Sequence, residues 1–157
     1  MPEPFRVRRC TDVSRAGEIH AFTQAIFRAL DIDPPSGVLK ESEVDFAVRL
    51  AREPCFIVEA EGKLIASMFC RRDGDALYIG RLAVHPEWRR RGIANALMEA
   101  AKAEARRIGA KRMTLGCRIV LTSNLALFRH HGFVVVGYET HTGFSAPTSY
   151  NMELRLG

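Results

Sequence analysis

No apolar run in this 157-residue chain approaches the roughly 20 residues that cross a bilayer, so a membrane helix is not expected. The N-terminal Met1-Pro2-Glu3-Pro4-Phe5-Arg6 lacks the apolar stretch of a signal peptide, and the expectation is a cytoplasmic protein without a membrane partner. Cysteine is sparse. Cys10, Cys55, Cys70 and Cys117 are widely scattered with no C-x-x-C spacing, which reads as reduced, mostly buried thiols rather than a disulfide frame or a zinc site. The histidines make no metal set either, so no metal is expected. Repeats, linkers and low-complexity segments are missing, and the length suits one domain over residues 1–157.

Charge is unevenly distributed, with basic residues in excess outside one acidic segment. The net charge is +5, yet Asp31, Asp33, Glu41, Glu43 and Asp45 stand against Lys40 alone, giving that stretch −4 and leaving +9 on the rest. A basic balance can mark a nucleic-acid binder. The run Arg89-Arg90-Arg91 has no interleaved aromatics of the kind that stack bases, and a polyphosphate ligand explains it more economically.

What is present is a regular alternation of elements. Phe5–Arg8 alternates as a strand. Asp12 or Ser14 can cap a helix to about Leu30, with Ile19, Phe22, Ile26 and Leu30 at helical spacing. Asp31 to Gly37, with paired prolines, must be a loop. A second helix is expected from about Ser42 to Arg52, burying Val44, Val48 and Leu50. Strands follow at 55–59, 64–71 and 76–84. A helix from about Ile93 to Ile108 carries Leu97, Met98, Ala101 and Ala105 on one stripe, and Gly109 ends it. A strand at 112–117, a helix capped by Ser123 or Asn124 and stopped by Gly132, and strands at 133–139 and 150–156 complete the order β-α-α-β-β-β-α-β-α-β-β. That order implies an α/β fold, a mixed sheet with helices on its faces.

The most informative segment is Val84-His-Pro-Glu-Trp-Arg-Arg-Arg-Gly-Ile-Ala94, a basic loop between a strand and a long helix. The first turn of a helix has backbone N–H groups without intrahelical partners and a partial positive charge, so a basic, glycine-containing lead-in is an anion site. A dinucleotide fingerprint needs three glycines where only Gly92 stands, and a Walker loop needs Gly-Lys-Ser/Thr, which is missing. The pattern Arg89-x-x-Gly92-x-Ala94 after a strand, with Leu127-Phe128-Arg129-His130-His131-Gly132-Phe133 further on, resembles the GCN5-related N-acetyltransferases, and the element order extends the resemblance to the whole chain.

That resemblance implies acetyl-CoA as acyl donor. Arg89, Arg90, Arg91, Gly92, Ile93, Ala94 and Asn95 would wrap its pyrophosphate, mainly through main-chain N–H groups. Leu82, Ala83 and Val84 would pair with the pantetheine along a strand that bulges near Gly80 and splays from its parallel neighbour at 112–117. The Leu82 N–H would face the thioester carbonyl, and Asn124 and Phe128 would complete the cofactor side. The implied reaction is direct transfer of acetyl to a small-molecule or peptide amine, with no nucleic acid involved and with a homodimer left open.

Two positions depart from the family pattern. Phe128 stands where many members carry the tyrosine that protonates the departing thiolate, and it has no proton to give. Tyr78 stands where histone-acetylating members carry a basic glutamate. Tyr78, Tyr138 and Tyr150 are the remaining candidates for the acid. A water chain to Glu139, His141 or an acid near Asp33 is the candidate base. The acids at 31–45 would line the acceptor side and attract a cationic amine. A non-catalytic coenzyme A-binding regulator is the alternative reading.

Overall fold

A seven-stranded sheet organises the chain in the computed structural model, which describes residues 5–157. Met1–Pro4, part of the stretch read as free of a signal peptide, lie outside the described residues. The elements are β1 (Arg6–Cys10), α1 (Ala16–Arg28), α2 (Glu43–Arg52), β2 (Cys55–Ala60), β3 (Lys63–Asp73), β4 (Ala76–Val84), α3 (Ile93–Arg107), β5 (Arg112–Arg118), α4 (Thr122–His130), β6 (Val134–Glu139) and β7 (Ser149–Arg155). Their order is the one expected. The spatial order is β1-β2-β3-β4-β5-β7-β6, antiparallel throughout except for β4 against β5. Among the described residues no helix is long and apolar enough to cross a membrane.

Strand alternation gives the sheet two apolar faces. On β2, Phe56 and Val58 join a core with Leu97, Met98, Ala101 and Ala105 of α3 and with Phe128 of α4. Cys55 and Ile57 join the opposite core with Ile19 of α1 and Phe46 and Leu50 of α2. α3 lies on the first face along the stripe its sequence foretold. It ends in a Schellman arrangement, with Gly109 at φ +72° and the Ala110 N–H bonded to the Ala105 carbonyl at 2.9 Å.

Three expectations are corrected. In α2 the buried pair is Phe46 and Leu50, while Val44 and Val48 are 70% and 48% exposed. Two i,i+4 pairs about 200° apart compete for the inner face, and the aromatic one wins, because the Phe46 ring meets Phe69 edge-on at 5.4 Å. In α4 neither Ser123 nor Asn124 is the cap. The N-cap is Leu121, which offers no side-chain bond, and Thr122 already opens the helix. The third correction concerns the bulge in β4. The extra residue falls beyond Gly80, where Ser67 faces Ala83 but Phe69 faces Gly80, and it is Arg81 that adopts φ +56°. Gly80 has another reason to be small: a Cβ there would come within 3.1 Å of the Tyr78 ring.

Candidate active site

β4 and β5 pair only from Ala76 to Tyr78 against Arg112 to Thr114. Beyond Tyr78, β4 keeps its β3 partner but has no β5 partner, so one backbone edge of residues 79–84 faces an opening between two strands. The bulge at Arg81 lies at the start of that edge and re-aims the backbone just before Leu82. Left-handed backbone in a β-branched or long side chain is costly, and here it is held in place. Arg81 donates Nε to Glu41 Oε1 at 2.7 Å and Nη2 to Glu41 Oε2 at 2.6 Å, a bidentate pair. Glu41 also accepts from Arg49 of α2 at 2.5 Å, and all three side chains are mostly buried.

The loop after β4 is shaped by local bonds. The Glu87 N–H donates to His85 Nδ1 at 3.1 Å and Pro86 opens a short 3-10 turn through Trp88. Arg91 lies over the Trp88 ring at 4.6 Å, which points one guanidinium along the loop surface. Arg90 at φ +61° and Gly92 at φ +82° then turn the chain into α3. Gly92 is the N-cap of α3 and supplies no side-chain bond, and the first intrahelical bond runs from the Ala96 N–H to the Gly92 carbonyl. The amides of Ile93, Ala94 and Asn95 are therefore left for an outside acceptor. Nothing stands within 4 Å of where a Cβ at Gly92 would be, so the space beside this helix end is open.

That space continues into a cleft of about 680 Å³, a size suited to an extended cofactor. It brings together Leu82, Val84, Arg89, Arg90, Gly92, Ile93, Ala94, Asn95 and Asn124 of the residues named from sequence. Six others named from sequence stand apart from its lining: Tyr78, Ala83, Arg91, Phe128, His141 and Tyr150. Ala83 is buried in the sheet, Arg91 is stacked on Trp88, and Phe128 is buried against Phe133 at 6.3 Å. Tyr78 faces away, beneath the Arg71 guanidinium at 4.7 Å. The opposite wall, formed by Ile26, Phe27 and Leu30 from the end of α1, gave no sequence signal beyond ordinary helical periodicity. Asn95 is also fixed from below, because its Oδ1 lies 2.8 Å from His131 Nε2. Burial holds the His131 pKa below its ordinary value, with Lys102 adding to that and Glu99 opposing it.

Residues 19–133 match the acetyltransferase (GNAT) family model. The chain belongs to this family. Solved GNAT structures share its fold over nearly the whole length. An acetyltransferase of the GNAT family from Streptococcus pneumoniae superposes with a TM-score of 0.80 at 17% identity, covering 98% of this chain and 99% of that one. PaiA N-acetyltransferase from Thermoplasma acidophilum, solved in complex with coenzyme A, gives 0.80 at 13% identity over 97% and 99%. YncA from Salmonella typhimurium, solved with its cofactor acetyl-CoA, gives 0.75 at 18% identity over 98% and 95%. Among curated proteins no sequence matches significantly.

His141 is tied by its ring Nδ1 and its N–H to the Thr148 hydroxyl, where it clips the β6–β7 connection. Tyr150 sits on β7 opposite Cys117 and packs against Tyr138 with ring centroids 5.5 Å apart. Neither lines the cleft. Arg118, which sequence reasoning passed over, reaches from the end of β5 to the Pro34 carbonyl at 2.7 Å and spans toward the α1–α2 loop. Of the acids at 31–45, Glu41 is consumed by Arg81 and Arg49. Asp45 closes a capping box with Ser42, while Asp31 and Asp33 remain exposed. Three of the cysteines are poor nucleophiles: burial pushes the Cys117 thiol up to about 11 and the Cys70 thiol up to about 12, and raises Cys55 further.

Proposed function

We propose that this chain is an N-acetyltransferase that moves the acetyl group of acetyl-CoA directly onto an amine, with residues 1–157 acting as one domain. The observation that carries the reading is the junction of two backbone features on one cleft. One is the left-handed Arg81 that turns β4 at Leu82, and the other is the uncapped, glycine-opened N-terminus of α3. The residues fit coenzyme A. Free amides from Gly92 to Asn95, with Arg89 and Arg90 beside them, suit a pyrophosphate. The unpaired edge of β4 at Leu82, Ala83 and Val84 suits an extended chain of amides, which it would bind as a sheet binds another strand. Acetyl-CoA supplies an activated acyl group joined to a thiol that is a tolerable leaving group near neutral pH.

The Leu82 N–H is the proposed donor to the acyl oxygen as negative charge grows there, a service worth about 3 kcal/mol in other acyl-transfer sites. The amine must arrive neutral or lose a proton on the way. In this reading it enters from the α1–α2 loop side, where exposed Asp31 and Asp33, the latter near Arg118, attract a cation, and water relays its proton. With every thiol of raised pKa buried, no covalent acyl-enzyme step is invoked.

A second reading rests on one specific observation. The position of the usual acid holds Phe128, buried and without a hydroxyl, and no tyrosine lines the cleft. A coenzyme A-binding regulator would look the same. Thiol release from acetyl-CoA, followed across a panel of primary amines and N-terminal peptides, separates the two. Amine-dependent release at a catalytic rate supports the transferase. Tight coenzyme A binding with no amine-dependent release supports the regulator.

A further inference from the structure

At the far end of α3, about 22 Å from the pyrophosphate loop by helix rise alone, lies a second cavity of about 380 Å³. It opens where β1, β3 and β4 meet the C-terminal ends of α2 and α3. Its walls are unusually basic, with Arg9, Arg52, Arg71, Arg72 and Arg107 against Glu53 and Glu104. Glu104 is 3% exposed and is held by Arg9 and Arg107, and its carboxyl pKa stays below the ordinary range through the Arg107 bond despite burial. Glu53 faces Arg49 at 3.6 Å. Among the described residues, Arg52, Arg71 and Arg72 thus have no carboxylate partner. Arg71 lies over Tyr78, and Arg72 donates to the Ile108 carbonyl at 3.2 Å.

Helix dipoles do not account for this charge. Two helix C-termini present about half a negative charge each, so about one of the three uncompensated positive charges is answered. Arginines lining a cavity offer guanidinium donors that suit the oxygens and the charge of phosphate. The remaining wall is apolar, through Leu50, Leu77 and Ile108. We infer that this cavity binds a phosphorylated small molecule, its phosphate drawn by the uncompensated charge of Arg52, Arg71 and Arg72 and its compact organic body against the apolar wall. The site is separate from the cleft at the head of α3, and a ligand there would grip both the tail of α3 and the strand that carries the bulge.

Inorganic pyrophosphate is the probe, titrated calorimetrically into four proteins: Gly92→Glu, Arg52→Ala in that background, Arg52→Ala/Arg72→Ala, and the triple combination. Because Gly92→Glu closes the loop at the head of α3, the heat that survives in it reports the basic cavity. One site is expected in Gly92→Glu, weakened at least about tenfold when both arginines are removed. Arg52→Ala alone, at an exposed position, should give an intermediate loss. Melting curves without ligand should be unchanged within a few degrees, which shows that the fold survives. No heat in Gly92→Glu, or equal affinity in the triple variant, overturns the inference. Failure of the cofactor reading would look different, with Gly92→Glu leaving coenzyme A binding intact.

Discussion

On the β4–α3 wall of the cleft the protein presents its backbone: an unpaired strand edge, a left-handed turn and the open amides of a helix end. On the α1–α2 side it presents side chains: Ile26, Phe27 and Leu30 line the cleft, and outside that lining Glu41 is claimed by two arginines. The difference decides what each wall can do. A backbone wall binds any ligand with the right spacing of acceptors and is insensitive to most side-chain changes. The charged cluster outside the apolar wall fixes shape, because opening a pair strands a charge. Glu41 therefore serves the backbone wall from outside the cleft by holding Arg81 in its left-handed turn.

The contrast can be broken most strongly at Gly92. Gly92→Glu puts bulk and negative charge into the open space beside three free amides. It should abolish coenzyme A binding by calorimetry while circular dichroism stays native. Next comes Glu41→Ala, which leaves Arg81 and Arg49 mostly buried without their carboxylate. A cost of about 2 kcal/mol in denaturant unfolding is expected, less than for a fully buried pair because some water reaches the group. Transfer rates should fall with it, because the bulge loses its clamp.

Arg90→Ala should weaken coenzyme A by only about 1 kcal/mol, the worth of a single hydrogen bond, if backbone amides dominate. An effect as large as that of Gly92→Glu would make the arginine side chains the ligands. Smaller again is Asp33→Asn on the acceptor side. It should raise the apparent KM for a cationic amine about two- to fivefold at low salt and converge with wild type at high salt.

A pH effect sharpens the boundary between the walls at His131. Its folded pKa lies below its unfolded one, so the unfolded chain binds the proton more readily. The stability His131 contributes is complete above the unfolded value near 6.5 and is lost as the pH falls through the folded pKa. Melting temperature should drop from pH 7 to pH 5, and His131→Gln should flatten that slope.

Much of the backbone wall was legible in the sequence, for a physical reason. A strand, a glycine and an amphipathic helix in succession are local features, and β4 and the start of α3 fall where patterning placed them. The side-chain wall was not legible. Arg81 and Glu41 are 40 residues apart, and nothing in either neighbourhood announces the other. The bulge was expected at Gly80 because glycine tolerates irregular backbone, yet a long side chain took the left-handed position because its distant partner Glu41 stabilises it there. The face of α2 was missed similarly: Val44 and Val48 have the right spacing, and only the position of Phe69 on β3 selects Phe46 instead. Asn95 was named as a cofactor contact, and its bond to His131 shows how its helix turn is anchored.

The central claim is that coenzyme A is held by backbone at two places, the β4 edge and the head of α3. Titrating coenzyme A into uniformly 15N-labelled protein and following amide shifts tests it most directly. The largest shifts should fall on Leu82 and on Gly92 through Asn95, with the arginine side chains of the loop moving less and Arg52 and Arg72 not at all. An absence of shifts at millimolar coenzyme A, or shifts confined to the arginine side chains with the Leu82 and Gly92 amides unmoved, would contradict the account.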